Sequence, residues 1–197
     1  MKDRQVRTAV CKEDLYWYFL FYFGNYVKYA LANFHHVLLN TLKDRSKHLT
    51  TVVAFRGSGK STIVSLVFLL WSVMGREKKK YILLVCKTQE QARQMLRNVR
   101  TELETNRLLR GDLGPFREEE DEWRNMSLVL SNYGARITAV SAGQSIRGLI
   151  HGQYRPELII CDDIEDLESV KTREGRDKTS EWFRSELVSG GDLETRV

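Results

Sequence analysis

Residues 54–62 of the chain are Ala-Phe-Arg-Gly-Ser-Gly-Lys-Ser-Thr, and they lie between an apolar run and the start of a helical pattern. Gly57 and Gly59 let the backbone turn so that successive N–H groups point inward, where the N-terminus of the following helix adds partial positive charge. Lys60 supplies a mobile cation for the β- and γ-phosphates, and Ser61 supplies a hydroxyl for Mg²⁺. The segment therefore predicts a phosphate-binding loop for a nucleoside triphosphate. The residues predicted to bind it are Ala54, Arg56, Gly57, Ser58, Gly59, Lys60, Ser61 and Thr62.

One position departs from the usual phosphate-loop pattern, because Ala54 stands where the first glycine is expected. An alanine at the end of a strand needs no positive φ, so the loop tolerates it. The alternative is an ordinary glycine-rich turn with a chance lysine. An apolar strand before the segment, a helix after it and an acidic motif downstream favour the phosphate loop.

Size and composition limit the class of protein. At 197 residues the chain suits one sizeable α/β domain, and a formal net charge of +5 is compatible with nucleic-acid binding without requiring it. Its three cysteines are widely spaced, which favours free thiols over a disulfide framework or a zinc site. The aromatic-rich residues 15–39 are interrupted by polar side chains, so we expect a helical region in a soluble protein without a membrane span.

Hydrophobic periodicity predicts the order of elements. Expected strands are residues 49–55, 81–87, 126–131, 135–141 and 158–161, and expected helices are residues 12–45, 61–74, 88–106 and 170–189. Short continuous apolar runs are typical of parallel strands covered on both faces, and residues 132–134 predict a hairpin turn. We therefore expect an α/β fold with a mostly parallel central sheet flanked by helices. Residues 1–47 would form a helical lead-in packed on a core of residues 48–197.

Two charged segments allow two interpretations each. Arg93, Arg97 and Arg100 recur along one predicted helix, where they either follow a phosphate backbone or form a solvated face, which is the favoured interpretation. Residues 118–122 are all acidic and suggest either metal ligands or a solvated loop. Consecutive acids in a loop cannot all face one ion, so the solvated loop is preferred.

The second motif is an apolar strand that ends in Asp162 and Asp163, with Glu165 and Asp166 close behind. Carboxylates at the same sheet edge as a phosphate loop can hold Mg²⁺ and orient an attacking water. Asp162 is the expected metal partner, and Asp163 or Glu165 is the expected catalytic acid that polarises the water. The alternative is an acidic cluster that only solubilises the loop.

Charge that builds on the γ-phosphoryl oxygens in the transition state calls for a cation besides lysine and metal. Arg56 lies inside the predicted loop, and Arg147 lies in the glycine-flanked segment Ser145-Ile-Arg-Gly148. Arg147 could act on the nucleotide of a neighbouring subunit if the protein forms a ring. The alternative for both arginines is a structural salt bridge.

These segments together resemble the ATPase domain of the large terminase subunit, the DNA-packaging motor of tailed bacteriophages and related viruses. The resemblance covers most of residues 34–190. It is carried by Phe34-His35-His36, by residues 54–62, by Ser145-Ile-Arg-Gly148 and by the segment Arg155-Pro-Glu-Leu-Ile-Ile-Cys-Asp-Asp-Ile-Glu-Asp166.

The resemblance implies a RecA-like ATPase that uses ATP and Mg²⁺ to move double-stranded DNA into a preformed capsid. Such a motor works as a homo-oligomeric ring, a pentamer, with the portal protein and the small terminase subunit as partners in the host cytoplasm. By carry-over Lys60 and Ser61 bind phosphates and Mg²⁺, Arg56 is the loop arginine, Arg147 is an arginine finger, and Asp162 acts with Asp163 or Glu165. In the family a coupling motif and a nuclease domain follow, so we expect this chain to be a fragment without nuclease activity.

Two other functions fit the same motifs. One is a helicase or another nucleic-acid-stimulated ATPase of RecA type. The other is a nucleotide-binding assembly switch that barely hydrolyses its ligand.

Overall fold

A computed structural model of the chain describes residues 3–116, 126–165, 170–192 and 194–197. It is an α/β fold with an open four-stranded sheet and helices on both faces. The acidic residues 118–122 and Asp166 lie outside the described residues, so the two interpretations of that acidic loop remain open.

The N-terminal region consists of three helices: α1 (Arg4–Glu13), α2 (Leu15–Phe23) and α3 (Asn33–Lys43), with a 3₁₀ turn at Gly24–Tyr26. Asp14 separates α1 from α2 because its backbone is extended and its carboxylate accepts hydrogen bonds from the first N–H groups of α2. The predicted continuous helical region 12–45 is therefore divided, and residues 27–32 are not helical. Whether residue 47 marks a domain boundary stays a prediction.

The sheet contains β1 (Tyr81–Cys86), β2 (Ser127–Leu130), β3 (Ala135–Ser141) and β4 (Leu158–Asp162) in the order β2-β3-β1-β4. β1 runs parallel to both β3 and β4, and β2 pairs with β3 in the antiparallel direction. The predicted hairpin is confirmed, and Gly134 closes its turn with φ 57°. The predicted mostly parallel sheet is confirmed as well.

The remaining helices confirm the three predicted at residues 61–74, 88–106 and 170–189 and include one at residues 107–113 that was not predicted. α4 begins with the π-helical residues Thr62–Phe68 and continues as the α-helix Leu69–Met74. After β1 follow α5 (Gln89–Thr105) and α6 (Arg107–Leu113). α7 (Arg173–Trp182) continues into the π-helical residues Phe183–Val188.

Alternate residues of β1 fill two hydrophobic layers because successive strand side chains point to opposite faces. Ile82, Leu84 and Cys86 join the larger layer, which extends to α2 and α4, whereas Leu83 and Val85 pack with Leu187 of the last helix. Of the predicted inward residues of that helix, Leu187 is buried and Trp182 and Phe183 pack at the layer's margin.

The predicted strand at residues 49–55 was wrong, since the segment is irregular. His48 and Thr50 exchange backbone hydrogen bonds with Val197 at 2.8 and 2.9 Å. A cavity of about 260 Å³ lies farther along, lined by residues 49–52 on one side and by β4 on the other. Val53, next along the chain, is 92 % exposed. An apolar run forms a strand only where a neighbouring backbone completes the hydrogen-bond ladder.

The three cysteines are free thiols, as predicted; Cys11 and Cys86 are buried and Cys161 is partly buried. Within the described ranges, no helix combines the length and apolarity that crossing a bilayer requires.

Candidate functional site

The loop at residues 54–62 contains two glycines in the left-handed region, with open space beside both. Gly57 and Gly59 adopt φ values of +82° and +76°, in the region that favours glycine, and a Cβ at either position would meet nothing within 4 Å. Ser58 N donates to Phe55 O at 3.2 Å, and Ile63 N donates to Gly59 O at 2.9 Å, so the loop turns directly into α4. Ala54 does not have a positive φ, so the turn does not require a glycine at this position.

Ser58 is the buried member of the loop. Its side chain is 4 % exposed, and its hydroxyl has no hydrogen-bond partner among the described residues. Buried polar groups are normally hydrogen-bonded, so the Ser58 hydroxyl has hydrogen-bonding capacity that the described residues do not use. The open space that fits a phosphate lies at Gly57 and Gly59.

The loop and the end of β4 meet at Asp162. Ser61 Oγ donates to Asp162 Oδ1 at 3.1 Å, and Ser65 Oγ donates to Asp162 Oδ2 at 3.0 Å. Two serines one helical turn apart thus hold both carboxylate oxygens. Asp162 is placed by its register opposite Cys86 on β1, at the carboxyl end of the sheet. The predicted metal pair Ser61 and Asp162 therefore lies together.

The second acid turns back towards the loop. Asp163 has φ 47°, an uncommon conformation that aspartate tolerates better than most residues. Its carboxylate Oδ1 lies 3.7 Å from Lys60 Nζ, and its side chain is 75 % exposed. Glu165 is also exposed. Asp163 is thus the predicted catalytic acid that the structure brings into contact with the loop.

Cys86 lies beside these acids without sharing their chemistry. Burial raises the pKa of its thiol to about 12, and the charges of Asp162 and Asp163 add to the shift. A neutral thiol is neither a good nucleophile nor a metal ligand. Cys86 therefore contributes only a small apolar side chain beside Asp162, on the neighbouring strand.

The two predicted arginines have different surroundings. Arg56 is exposed in the loop. Arg147 contacts the last helix, where its Nε lies 3.1 Å from Glu186 Oε1 and its Nη2 donates to Ser185 O at 2.8 Å. The hydroxyl of Ser145 lowers the pKa of Glu186, with Arg147 adding to the effect. The structural salt bridge considered for Arg147 is therefore present, and its role as an arginine finger stays a prediction.

Arg93 and Arg97 of α5 form ion pairs on their own helix. Arg93 and Arg97 lie 3.2 and 3.3 Å from the two carboxylate oxygens of Glu90, all on the exposed face. These contacts agree with the solvated-face interpretation. Contact of this face with DNA stays an untested alternative.

A second cavity, of about 240 Å³, connects the loop with the N-terminal region. Tyr29 and His35 line it together with Gly57, Gly59 and Thr62. Tyr29 is 87 % exposed. His35 reaches the loop itself, since its Nε2 lies 3.0 Å from Ser58 O.

Sequence reasoning missed three residues of this site: Ser65, His35 and Tyr29. A signal existed for Ser65, because residues four apart lie on one helical face and Ser61 was already identified. The quoted Phe34-His35-His36 segment contained His35 without its contact. Nothing in the sequence placed Tyr29 near the loop, because residues 27–32 were expected to be helical.

The ligand predicted for these residues is a magnesium-bound triphosphate. In the described part of the chain, no set of three or more His, Cys, Asp or Glu side chains forms a metal cage. Mg²⁺ at nucleotide sites commonly uses one or two protein oxygens together with phosphates and water. Ser61 and Asp162 match that donor set.

No protein-family model matches the chain, and no curated protein matches it at a significant level.

Proposed function

We propose that this chain hydrolyses ATP at residues 54–62, as the RecA-like ATPase domain of the large subunit of a viral DNA-packaging terminase. The observation that carries the proposal is the 3.1 Å contact between Ser61 Oγ and Asp162 Oδ1, which joins the end of the glycine loop to the end of β4. An anion cradle, a lysine and a carboxylate pair then share one sheet edge, where ligands of open α/β sheets bind.

Lys60 and the loop amides would bind the phosphates, and Ser61 with Asp162 would hold Mg²⁺. Bound Mg²⁺ would neutralise charge on the β- and γ-phosphate oxygens. Lys60 now pairs with Asp163 at 3.7 Å. If Lys60 turned to a phosphate, Asp163 would be free to orient the attacking water and to accept a proton from that water. Glu165 is the alternative carboxylate for this role. Arg56 projects from the same loop and adds positive charge.

The nucleoside would extend into the cavity beside the loop, towards the N-terminal region. The position of this cavity next to Gly57, Gly59 and Thr62 supports the placement. Tyr29 offers an exposed aromatic face for base stacking. Adenine as the base rests on the family resemblance.

The DNA-packaging role rests on the four segments that resemble terminases and on the net charge of +5. In that role the chain works as a pentameric ring at the procapsid portal in the host cytoplasm, with double-stranded DNA, portal protein and small terminase subunit as partners. The Arg147 side chain is 59 % exposed despite its ion pair with Glu186, which supports a change of partner to a neighbouring subunit's phosphate.

The test is ATP turnover by the protein with and without linear duplex DNA and portal protein. The proposal expects Mg²⁺-dependent turnover that intact duplex stimulates without strand separation. Strand separation would favour a helicase. Tight ATP binding with the same negligible turnover in wild type and Asp163→Asn would favour an assembly switch.

A further inference from the structure

The contact between His35 and the phosphate loop is not explained by the packing of α3. His35 lies in the first turn of α3, and its two ring nitrogens have different partners. Nδ1 lies 3.0 Å from the backbone N of Ala32, and Nε2 lies 3.0 Å from the backbone O of Ser58. The first contact caps the helix, and the second leaves the N-terminal region and ends on the loop.

The two partners fix the tautomer of the ring. The Ala32 N–H is a donor, so Nδ1 must accept and carries no proton. The neutral ring then has its proton on Nε2, which donates to Ser58 O. Each nitrogen is used in the only role that its partner allows.

We infer that His35 is a positioning residue for triphosphate binding, because it orients the peptide between Ser58 and Gly59. In a trans peptide the C=O and the following N–H point in opposite directions. A Ser58 carbonyl that points towards α3 therefore directs the N–H of Gly59 away from α3. We assign that N–H to the phosphate cradle. This inference rests on the proposed nucleotide site.

The peptide between Ser58 and Gly59 needs a hydrogen bond to fix its orientation. The φ of +76° at Gly59 and the open space around this residue leave the loop backbone free to rotate. A peptide flip would exchange the directions of the Ser58 carbonyl and the Gly59 N–H, and a carbonyl oxygen in the cradle would repel phosphate. The bond from His35 opposes that flip.

A second contact keeps the imidazole in place. The ring of Phe34 lies 3.8 Å from the His35 ring and 5.4 Å from the ring of Phe55, at the start of the loop. Helix α3 thus contacts the loop through one hydrogen bond and one aromatic pair. The N-terminal region becomes part of the triphosphate site by these contacts.

Two substitutions separate the functions of the two ring nitrogens. His35→Asn keeps an acceptor near the position of Nδ1 and caps Ala32, but it does not reach Ser58. His35→Gln extends an N–H donor to about the position of Nε2 and restores the bond to the loop. His36→Asn is the matched control, because His36 is the exposed neighbour on the same helix and its ring lies against Tyr16.

Calorimetry with Mg·ATP is expected to show roughly five- to tenfold weaker binding for His35→Asn, since one hydrogen bond is lost. Binding by His35→Gln and His36→Asn should stay within about twofold of wild type by the same reasoning. Thermal unfolding of each variant shows that it is folded. Binding by folded His35→Asn that equals wild type would overturn the inference while leaving the proposed function intact.

A measurement without nucleotide tests His35 independently. In ¹⁵N-labelled protein the imidazole nitrogens should show the Nε2–H tautomer for His35, and the amide resonance of Gly59 should shift in His35→Asn but much less in His35→Gln. An Nδ1–H tautomer, or a Gly59 amide that does not respond, would contradict the positioning role. Failure of wild type to bind ATP would instead contradict the proposed function.

Discussion

Ser65 Oγ lies 3.0 Å from Asp162 Oδ2, on the carboxylate oxygen opposite the one that Ser61 contacts. Ser65 is 1 % exposed and lies one helical turn beyond Ser61. Ser61 is the predicted Mg²⁺ ligand, and a Ser61 hydroxyl that turned to Mg²⁺ would give up its hydrogen bond to Asp162. Because Ser65 is buried, we expect it to keep its hydrogen bond to Asp162 when Mg²⁺ binds.

We therefore expect Ser65→Ala to raise the Mg²⁺ concentration needed for half-maximal nucleotide binding by about tenfold, since a hydrogen bond to a charged group contributes roughly 1.5–3 kcal/mol. Titration of a fluorescent ATP analogue with Mg²⁺ measures the change. Ser72→Ala is the control, because Ser72 is equally buried in α4 but donates to Leu69 O within the helix. The same Mg²⁺ requirement in both variants would contradict this role of Ser65.

Lys60 and Asp163 should fail in different ways although they contact each other. Lys60→Ala removes a phosphate ligand and should abolish detectable ATP binding, whereas Asp163→Asn should retain binding and lose at least about a hundredfold in turnover. Their ion pair is largely exposed, at 31 % and 75 % of the two side chains, so neither change should lower stability by more than about 1 kcal/mol. Full turnover by Asp163→Asn would transfer the catalytic role to Glu165, which Glu165→Gln then tests.

Tyr29 should contribute to binding of the nucleoside and not to binding of the phosphates. Stacking of a base on an aromatic ring contributes about 1–3 kcal/mol, so Tyr29→Ala is expected to weaken ATP binding by about tenfold or more. Affinity for inorganic triphosphate should not change, and Tyr29→Phe should bind ATP like wild type. Equal loss for both ligands would show that the loop itself had moved.

Arg196 should matter for stability and not for chemistry. Its guanidinium lies 3.2 Å from Glu77, whose side chain is fully buried, and it also donates to Leu42 O. Arg196→Met leaves a buried carboxylate without its cation and should cost about 3–5 kcal/mol of unfolding free energy. The double variant Glu77→Leu with Arg196→Met should recover most of that loss, as denaturant unfolding would show. A double variant no more stable than the single one would argue against the ion pair as the cause.

Substitutions of Arg147 test whether one subunit contributes an arginine to the nucleotide site of its neighbour. If Arg147 reaches a neighbouring nucleotide, rings mixed from Arg147→Ala and Asp162→Asn subunits should regain part of the ATP turnover that each variant lacks alone. Arg147→Lys retains the charge and serves as the comparison. Mixed rings as inactive as the separate variants would leave Arg147 with its structural contact to Glu186.

Local patterns in the sequence determined much of this protein. The two loop glycines with positive φ, the helix after them, the hairpin closed at Gly134 and the apolar runs that form strands follow from short-range conformational preferences, and all of them are present. The two motifs also predicted that Ser61 and Asp162 would lie together, as they do, although residues 49–55 before the loop are irregular.

The tertiary structure decided what depends on a partner distant in sequence. Residues 49–55 have a strand composition, yet they lack a neighbouring backbone along most of their length and remain irregular. His35 and Tyr29 belong to the site only because α3 and residues 27–32 pack around the loop. Arg147 has the sequence context of a ligand-binding residue but pairs with Glu186, since the last helix lies next to it. Periodicity records which face of an element is apolar, and it carries no information about which distant group will lie within hydrogen-bond distance.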